Sequence, residues 1–197
     1  MILTDSQLIN ELEKMIDVNK SEGVTAEALL SQVNPNTIDL TISGRYKRPN
    51  NINKSVVYGF TCEKERMIYD LTYWKDCFAE DFILMKPGDI ILGASREYLT
   101  MPDNICGQLF TKSSFGRMFL NHMMAGVIDA GFHGVVTYEL KNEGVHTVRI
   151  PVGARVVQMM CFGLTIAPDR PYGSATRHSR YQMAQLVETS KWDGVER

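Results

Sequence analysis

The sequence lacks the features that mark membrane, secreted and nucleic-acid-binding proteins. Its 197 residues contain no run near the roughly 18 consecutive apolar residues that a membrane span needs. The opening MILTDSQLINELEKM has no basic segment before a long apolar core, so we expect no signal peptide. The formal net charge of −2 provides no large basic surface for duplex nucleic acid. We therefore expect a cytoplasmic protein, in the host cytoplasm if the source is viral, that binds neither membranes nor nucleic-acid polymers.

Closely spaced cysteines are also absent. The four cysteines lie far apart, at positions 62, 77, 106 and 161, so no C-x-x-C pair suggests a zinc knuckle or a redox site. We expect free thiols in a reducing compartment. What remains is an ordinary globular composition, 44% hydrophobic and 22% charged, in a chain that we interpret as one domain over residues 1–197.

Local patterns predict a mainly β fold with a short N-terminal helix. Thr4 and Gln7 have the spacing of a capping box, and apolar residues follow at helical intervals, which predicts a helix within residues 1–20. The segment AEALLSQV can form a second, shorter helix. TIDLTIS alternates like a strand, as do several short segments after residue 83 that are bounded by Gly, Pro or Asn. Many short strands at close spacing predict a distorted β-barrel or jelly-roll-like core.

Two regions give weaker patterns. Within residues 44–82, RYKRPNNINKS looks like a loop, and CEKERMIYDLTYW could hold a strand followed by a turn. The end of the chain, residues 168–197, is polar and rich in Arg, Ser and Tyr. We expect it to be a flexible tail.

A glutamate stands inside a predicted strand of the segment GVIDAGFHGVVTYELKN. Strand alternation places Glu139 on one face with Thr137, and Tyr138 on the other face with Leu140. One interpretation is a half-buried strand whose outer face carries polar side chains, because glutamate is mostly exposed. The other is a general acid or base in a partly enclosed site. The pattern alone leaves both open.

The segment TKSSFGRMFLNH concentrates cations and hydroxyls. Lys112, Ser113, Ser114 and Arg117 fall within six residues, and SSFGRMFL can open a helical turn after a strand. Helix N-termini bind anions, and a lysine beside an arginine fork suits phosphate oxygens. A capped helix with solvated charges explains the same residues equally well.

Asp129 stands in IDAGFHG, where two glycines permit tight backbone geometry. A turn stabilised by the aspartate side chain is one interpretation. A carboxylate that binds a sugar hydroxyl or a magnesium-bound water is the other. Gln158, in GARVVQMM, is a plain strand amide on pattern alone.

In this order, the segments resemble the motifs of the dCTP deaminase and trimeric dUTPase superfamily. KSSFGRMFL resembles its RSSLGR motif, AGVIDAGFHGVVTYEL its AGxIDxGFxGxITLE motif, and IPVGARVVQMMCF the strand motif that follows. MILTDSQLI resembles the start of the deaminases, and TIDLTIS their early SYDVxLG strand. The resemblance implies a dUTPase-type distorted β-barrel with a flexible C-terminal lid over residues 168–197.

Glu139 separates the deaminase branch from the dUTPases. dUTPases usually have an apolar residue ten positions after the motif aspartate, whereas deaminases have a proton-shuttling glutamate there. The resemblance implies that Glu139 deprotonates a water that attacks C4 of cytosine and passes the proton on as ammonia leaves. It also implies that Ser113 and Arg117 hold that water and the base. Asp129 would then meet the deoxyribose 3′-hydroxyl.

The resemblance assigns the remaining motif positions to substrate binding. Lys112 and Ser114, with Arg117, would contact phosphate, and Gln158 would lie on the phosphate side. Phe132 would stack on the deoxyribose ring, although apolar packing explains a phenylalanine there equally well. The tail RPYGSATRHSRYQMAQ resembles a Y…KYxxQ lid, which assigns lid contacts to Tyr172, Arg180 and Gln182.

Three departures from the family patterns affect substrate binding. Lys112 keeps the charge of the usual arginine but loses its bidentate fork. Phe115 replaces the usual leucine, a modest packing change. Arg180 stands where lysine is common, and neither Gln182 nor Gln185 is at the expected lid position. The triphosphate contacts of the lid and the preferred cytosine nucleotide are therefore left open.

Gly126 bears on whether dUTP is released or cleaved. Single-function bacterial deaminases usually have a His-Arg pair before the ID, whereas Gly126 and Val127 match dUTPases and bifunctional enzymes. The resemblance therefore favours a bifunctional enzyme that cleaves dUTP to dUMP and pyrophosphate, with Asp129 and Glu139 activating the second water. A single-function deaminase, a dUTPase and a non-catalytic nucleotide-binding regulator stay open as alternatives.

The resemblance also implies the cofactors and partners. This deaminase class needs no zinc, and none of the four histidines is followed two positions later by the glutamate of the zinc deaminases' H-x-E pattern. Magnesium would enter with the triphosphate, bound mainly by phosphate oxygens and not directly by the protein. We expect a homotrimer with shared active sites and dCTP and dUTP as substrates. Feedback inhibition by dTTP is left open.

Overall fold

Two helices open the chain. In the computed structural model, which describes residues 1–50, 73–122 and 125–191, α1 spans Asp5–Met15 and α2 spans Ala26–Leu30. Thr4 donates its backbone N–H to Gln7 Oε1 at 3.1 Å, which is the capping contact that the sequence predicts. The buried face of α1 consists of Leu8, Leu12 and Met15. Both predicted helices are confirmed.

Ten strands and one short helix follow within the described residues. The strands are β1 (Thr37–Pro49), β2 (Trp74–Phe78), β3 (Phe82–Met85), β4 (Ile90–Thr100), β5 (Ile105–Thr111), β6 (Leu120–His122), β7 (Val127–Ile128), β8 (His133–Asn142), β9 (Val148–Pro151) and β10 (Arg155–Gly163). The short helix α3 spans Ser113–Gly116, directly after β5, where the sequence predicts a helical turn. The predicted mainly β fold with an N-terminal helix is confirmed.

Eight of these strands form one curled antiparallel sheet. Its order is β6-β8-β4-β1-β10-β5-β7, and β2 pairs with the far end of β1. β3 and β9 form a separate two-stranded sheet. The register shifts within the β1–β4 and β4–β8 pairings, and such irregularities bend strands and increase their twist. The sheet therefore places β8 between β4 and the short β6, which leaves part of the β8 edge uncovered by another strand of the sheet.

Side-chain alternation on β8 separates a core face from an outer face. Val136, Tyr138 and Leu140 are buried, whereas Val135 and Thr137 are half-buried. This is the two-residue period expected of a strand, and it confirms the predicted faces. The outer face of β8 is thus the side on which a polar residue can meet a ligand.

The predicted loop at RYKRPNNINKS begins later than expected. Arg45–Pro49 continues β1 and pairs with β2, from Arg45 opposite Phe78 to Pro49 opposite Trp74. Pairing with a neighbouring strand holds this polar segment extended although its composition favours a loop. The remainder of that loop and most of CEKERMIYDLTYW fall within residues 51–72, outside the described residues.

Candidate active site

A cavity of about 530 Å³ lies against the outer face of β8. Thr137 and Glu139 of β8 line it, together with Leu92 of β4, which is the cross-strand partner of Glu139. Residues of the C-terminal tail close another side, among them Tyr181 and Glu188. The cavity therefore combines the carboxylates of Glu139 and Glu188 with largely apolar walls, which is typical of small-molecule sites.

Glu139 is the β8 carboxylate of this cavity. It is half-buried, and its Oε2 accepts a hydrogen bond from the Ala125 backbone N–H at 3.0 Å. On the core side, His122 of β6 lies edge-on to Tyr138, with ring centroids 6.1 Å apart. Burial lowers the pKa of His122, while the Glu139 charge acts in the opposite direction. A carboxylate that is held in this way can take a proton from a water in the cavity.

The turn between β7 and β8 lies beside the cavity. Gly131 has φ +85°, and a Cβ there would lie 2.7 Å from the Tyr172 carbonyl oxygen, so a glycine is required. Phe132 is half-buried, lines the cavity and packs against Tyr172 with ring centroids 5.8 Å apart. Asp129 is exposed at the start of the turn. Burial raises the pKa of Tyr172, and the Asp129 charge acts in the same direction.

Residues 182–184 of the tail, which the sequence predicts to be flexible, form hydrogen bonds with the uncovered edge of β8 and the turn before it. Gln182 Nε2 donates to the Gly131 carbonyl at 2.9 Å, and Gln182 Oε1 accepts the His133 N–H at 2.9 Å. Met183 N–H donates to the His133 carbonyl at 2.7 Å, and the Ala184 carbonyl accepts the Val135 N–H at 2.9 Å. These bonds extend the sheet with residues of the tail, because the β8 edge offers backbone groups that β6 does not reach.

The KSSFGR motif lies outside the cavity. Ser113, Ser114 and Arg117 are exposed on α3 and its C-terminal end, and none of the three is among the described residues that line the cavity. Lys112, which is half-buried, forms an ion pair with Asp39 of β1. Within one chain, the structure thus does not bring this predicted group together with Glu139.

The predicted residues therefore form two groups. Glu139 and Phe132 line the cavity, and Asp129, Tyr172 and Gln182 adjoin it through the turn and the tail. Lys112 and Gln158 form the second group, because Asp39 binds the lysine and is the cross-strand partner of the glutamine.

Gly126 and Arg180 belong to neither group. The carbonyl of Gly126 accepts the Leu109 N–H at 2.7 Å, just before β7. Arg180 is half-buried in the tail and is not among the described lining residues.

Sequence reasoning missed three polar residues that the structure places at these groups: Asp39, Arg155 and Glu188. The backbone N–H of the cavity residue Glu188 donates to Oγ1 of Thr137 at 3.0 Å, on the strand face that alternation predicts for Thr137 and Glu139. Asp39 is buried, and Arg155 lies 3.9 Å from one of its oxygens. Asp39 had the same signal as Glu139, an acid inside an alternating apolar strand. No alternation pattern marks Arg155 or Glu188.

The family of the chain follows from a match to a known family model. A model of the dCTP deaminase-like family matches residues 2–164. The chain belongs to the dCTP deaminase-like family. The match includes every strand from β1 to β10 and thus Glu139 and Lys112 alike. The tail after residue 164 lies outside it.

Curated relatives of the family cover much of the chain. A protein of Corynebacterium jeikeium strain K411 named "dCTP deaminase, dUMP-forming" is 30% identical over 186 residues, 92% of each chain. A Beutenbergia cavernae protein of the same name is 32% identical over 153 residues, 77% of each chain. One from Leifsonia xyli subsp. xyli is 40% identical over 114 residues, so the chain spans 57% of the length of that relative.

A solved structure shares the fold. The 2′-deoxycytidine 5′-triphosphate deaminase from Agrobacterium tumefaciens superposes with a TM-score of 0.58 at 18% identity, covering 81% of this chain and 47% of that one. At this identity the likeness shows the fold alone. It confirms the fold class that the sequence motifs predict.

Clusters of metal ligands and membrane-spanning helices are both absent from the described residues. Across residues 1–50, 73–122 and 125–191, no three His, Cys, Asp or Glu side chains come together in a way that could hold a metal ion. In the same part of the chain, no helix is long and apolar enough to cross a membrane.

Proposed function

We propose that the chain deaminates dCTP at C4 of cytosine without zinc and then hydrolyses the dUTP to dUMP and pyrophosphate. The observation that carries the proposal is the Glu139 carboxylate, which accepts the Ala125 N–H and lines a largely apolar cavity. Membership of the dCTP deaminase-like family and the names of the curated relatives support the same reaction.

The first step is hydrolytic deamination. Glu139 takes a proton from a water, and the hydroxide attacks C4 to give a tetrahedral adduct. The carboxylic acid then gives that proton to N3 of the ring. The carboxylate next takes the proton of the new C4 hydroxyl group and passes it to the amino nitrogen, the C–N bond breaks, and ammonia leaves as the C4 carbonyl of dUTP forms. The Ala125 N–H fixes Glu139 Oε2, so the carboxylate stays oriented through these proton transfers.

The second step is cleavage between the α and β phosphates. A water activated by Asp129 and Glu139 attacks the α-phosphorus, the bond to the bridging oxygen breaks, and pyrophosphate leaves with dUMP as the second product. Gly126 supports this step because single-function deaminases usually have a His-Arg pair at this place, before the ID. A Cβ at position 126 would lie 3.2 Å from the Leu109 carbonyl oxygen, so that pair would need a shifted backbone here.

A homotrimer with shared active sites explains why the predicted residues form separate groups. Ser113, Ser114 and Arg117 are exposed and lie outside the cavity lining of their own chain. We propose that they complete the cavity of a neighbouring subunit, where Ser113 and Arg117 hold the attacking water and the base. Ser114 and Arg117 would also bind phosphate. Isolated monomers would then contain the general base Glu139 but not the complete site.

The remaining predicted contacts belong to the nucleotide. Phe132 stacks on the deoxyribose, Asp129 meets the 3′-hydroxyl, and Gln158 lies on the phosphate side. Tyr172 and Arg180 reach the triphosphate from the tail. Magnesium accompanies the triphosphate and is bound mainly by phosphate oxygens. We propose dTTP as a feedback inhibitor because it shares the sugar and triphosphate of the substrate.

Product analysis tests the proposal. The purified protein is incubated with dCTP and Mg²⁺, and separately with dUTP, and the nucleotides are resolved by chromatography. We expect dUMP and pyrophosphate from both substrates. Accumulation of dUTP from dCTP would instead show a single-function deaminase, and turnover of dUTP alone would show a dUTPase. Nucleotide binding without turnover would favour a regulatory protein.

A further inference from the structure

Asp39 is a buried carboxylate with an uneven environment. Its side chain on β1 is 1% exposed. Lys112 Nζ contacts Oδ2, and Arg155 Nη1 lies 3.9 Å from the same oxygen. The other oxygen, Oδ1, is buried and has no hydrogen-bond partner. The charge of Asp39 is therefore compensated through one oxygen only.

Lys112 is committed to this contact by its position. Its backbone N–H donates to the Val156 carbonyl at 2.8 Å, which fixes the lysine at the N-terminal end of α3. The arginine that the superfamily motif has at this position carries a planar fork that can reach both oxygens of a carboxylate. A lysine has a single ammonium group, which accounts for the unpartnered Oδ1.

Arg155 is the second cation at Asp39, and hydrogen bonds to Ser31, which follows α2, orient its side chain. Its Nη1 donates to the Ser31 carbonyl at 2.8 Å, and its Nη2 donates to Ser31 Oγ at 2.6 Å. The side chain is 39% exposed, and Gln158 is the cross-strand partner of Asp39 in the adjacent β10. Arg155 therefore presents an oriented guanidinium beside Asp39, which is the cross-strand partner of the residue assigned to the phosphate side.

We propose that Lys112 is a positioning residue that neutralises Asp39, and that Arg155 is the cation that this face offers to a substrate phosphate. If Lys112 moved to a phosphate, the buried carboxylate would lose its closest counter-ion, which is costly for a charge that water cannot reach. Arg155 can bind a phosphate without that loss, because its contact with Asp39 is longer. The phosphate part of this inference rests on the proposed function.

Thermal unfolding of the full chain tests the role of Lys112. We expect Lys112→Met to lower Tm by about 5 to 10 °C, because it removes the counter-ion but keeps the side-chain length. Adding Asp39→Asn should restore at least half of that loss, because no buried charge then remains. Lys14→Met, which removes an exposed ion pair with Glu11, is the matched control and should shift Tm by less than about 2 °C. An unchanged Tm in Lys112→Met, or no recovery in the double variant, would overturn the inference.

Calorimetric titration with dCTP tests the role of Arg155. A Glu139→Gln background prevents deamination during the measurement. We expect Arg155→Gln to weaken binding about tenfold or more, Arg155→Lys to recover part of it, and Lys112→Met to change it less than about threefold. The reverse order of effects would overturn the assignment. If the Glu139→Gln parent binds no dCTP, the proposed function and the phosphate role fail together, whereas the Tm results still decide the role of Lys112.

Discussion

Glu97 and Glu139 lie on paired strands, β4 and β8, yet their environments differ completely. Glu97 is 0% exposed, and its carboxylate accepts hydrogen bonds from the Thr41 N–H, the Thr41 hydroxyl and Gln32 Nε2 at 2.8 to 2.9 Å. Glu139 is half-buried and faces the cavity, where one of its oxygens accepts the Ala125 N–H. Neutral donors make Glu97 part of the core, whereas Glu139 faces a cavity that a ligand can enter. Environment, not residue type, separates the structural acid from the acid that we propose to be reactive.

The two environments meet at Tyr138, the residue before Glu139. Its hydroxyl donates to the Thr41 carbonyl at 3.3 Å, on the same residue whose N–H and hydroxyl bind Glu97. Burial raises the pKa of Tyr138 well above its usual value. The hydrogen bonds around Glu97 thus contact the buried face of β8 through Thr41 and Tyr138, and Glu139 projects from the opposite face of the same strand.

The largest expected effect comes from Glu139→Gln. Loss of the proton-transferring group should lower the rate of dCTP deamination by about 10²- to 10⁴-fold, because the amide cannot take a proton from water. The free energy of unfolding should change by less than about 1 kcal/mol, since the side chain is only half-buried. Single-turnover kinetics and urea denaturation measure the two quantities.

Glu143→Gln is the matched control for this variant. Glu143 lies just after β8, and its exposed carboxylate lies 3.6 Å from the Lys141 ammonium. We expect it to retain the deamination rate. A Glu139→Gln variant as active as the control would refute the general-base role.

Glu97→Ala should produce the opposite result. Removing the carboxylate leaves the Thr41 N–H and the Thr41 hydroxyl without their acceptor in the core, takes one of its two acceptors from Gln32 Nε2, and creates a cavity. We therefore expect the free energy of unfolding to fall by about 3 kcal/mol or more. Urea denaturation at neutral pH measures the loss, with Glu139→Gln as the comparison. A loss below about 1 kcal/mol would show that the network contributes little.

The sequence could predict the environment of Glu139 but not that of Glu97. HGVVTYEL alternates without interruption, so the two faces of β8 follow from the pattern. On β4 the register shifts between Ala94 and Tyr98, which makes the face of Glu97 unreadable from alternation. Its partners Gln32 and Thr41 come from segments more than 50 residues away. The same limit applies to Gln182, whose contacts with the β7–β8 turn no local pattern marks.

The pH dependence of the free energy of unfolding tests whether burial governs the pKa of Glu97. Burial raises the pKa of its carboxyl above the usual 4.5. Between 4.5 and that higher value the folded state binds more protons than the unfolded state, so this group makes stability fall as pH rises. Glu97→Gln lacks the titration. The wild-type free energy of unfolding should therefore decline relative to Glu97→Gln above pH 4.5, by at most about 1.4 kcal/mol per pH unit.

Urea denaturation at several pH values between 4.5 and 8 measures this difference. A flat difference would mean that the carboxyl of Glu97 titrates alike in both states. A difference that grows with pH would mean that the donors of Thr41 and Gln32 outweigh burial and stabilise the ionised form.

The smallest expected effect tests whether the enclosure of Glu139 depends on the tail. Gln182→Ala removes two hydrogen bonds to the turn that carries Phe132, and we expect a local loss of about 1 to 2 kcal/mol. Amide exchange at His133 and Val135 should accelerate by about fivefold to thirtyfold, while the exchange of the buried β1 amides stays unchanged. Gln185→Ala is the control, because its exposed amide makes a long 3.4 Å contact with the Met183 carbonyl and no hydrogen bond of its side chain reaches the β7–β8 turn within the described residues. If both variants exchange at the wild-type rate, the backbone bonds from residues 183 and 184 suffice to hold the tail, and the cavity around Glu139 is closed without the glutamine.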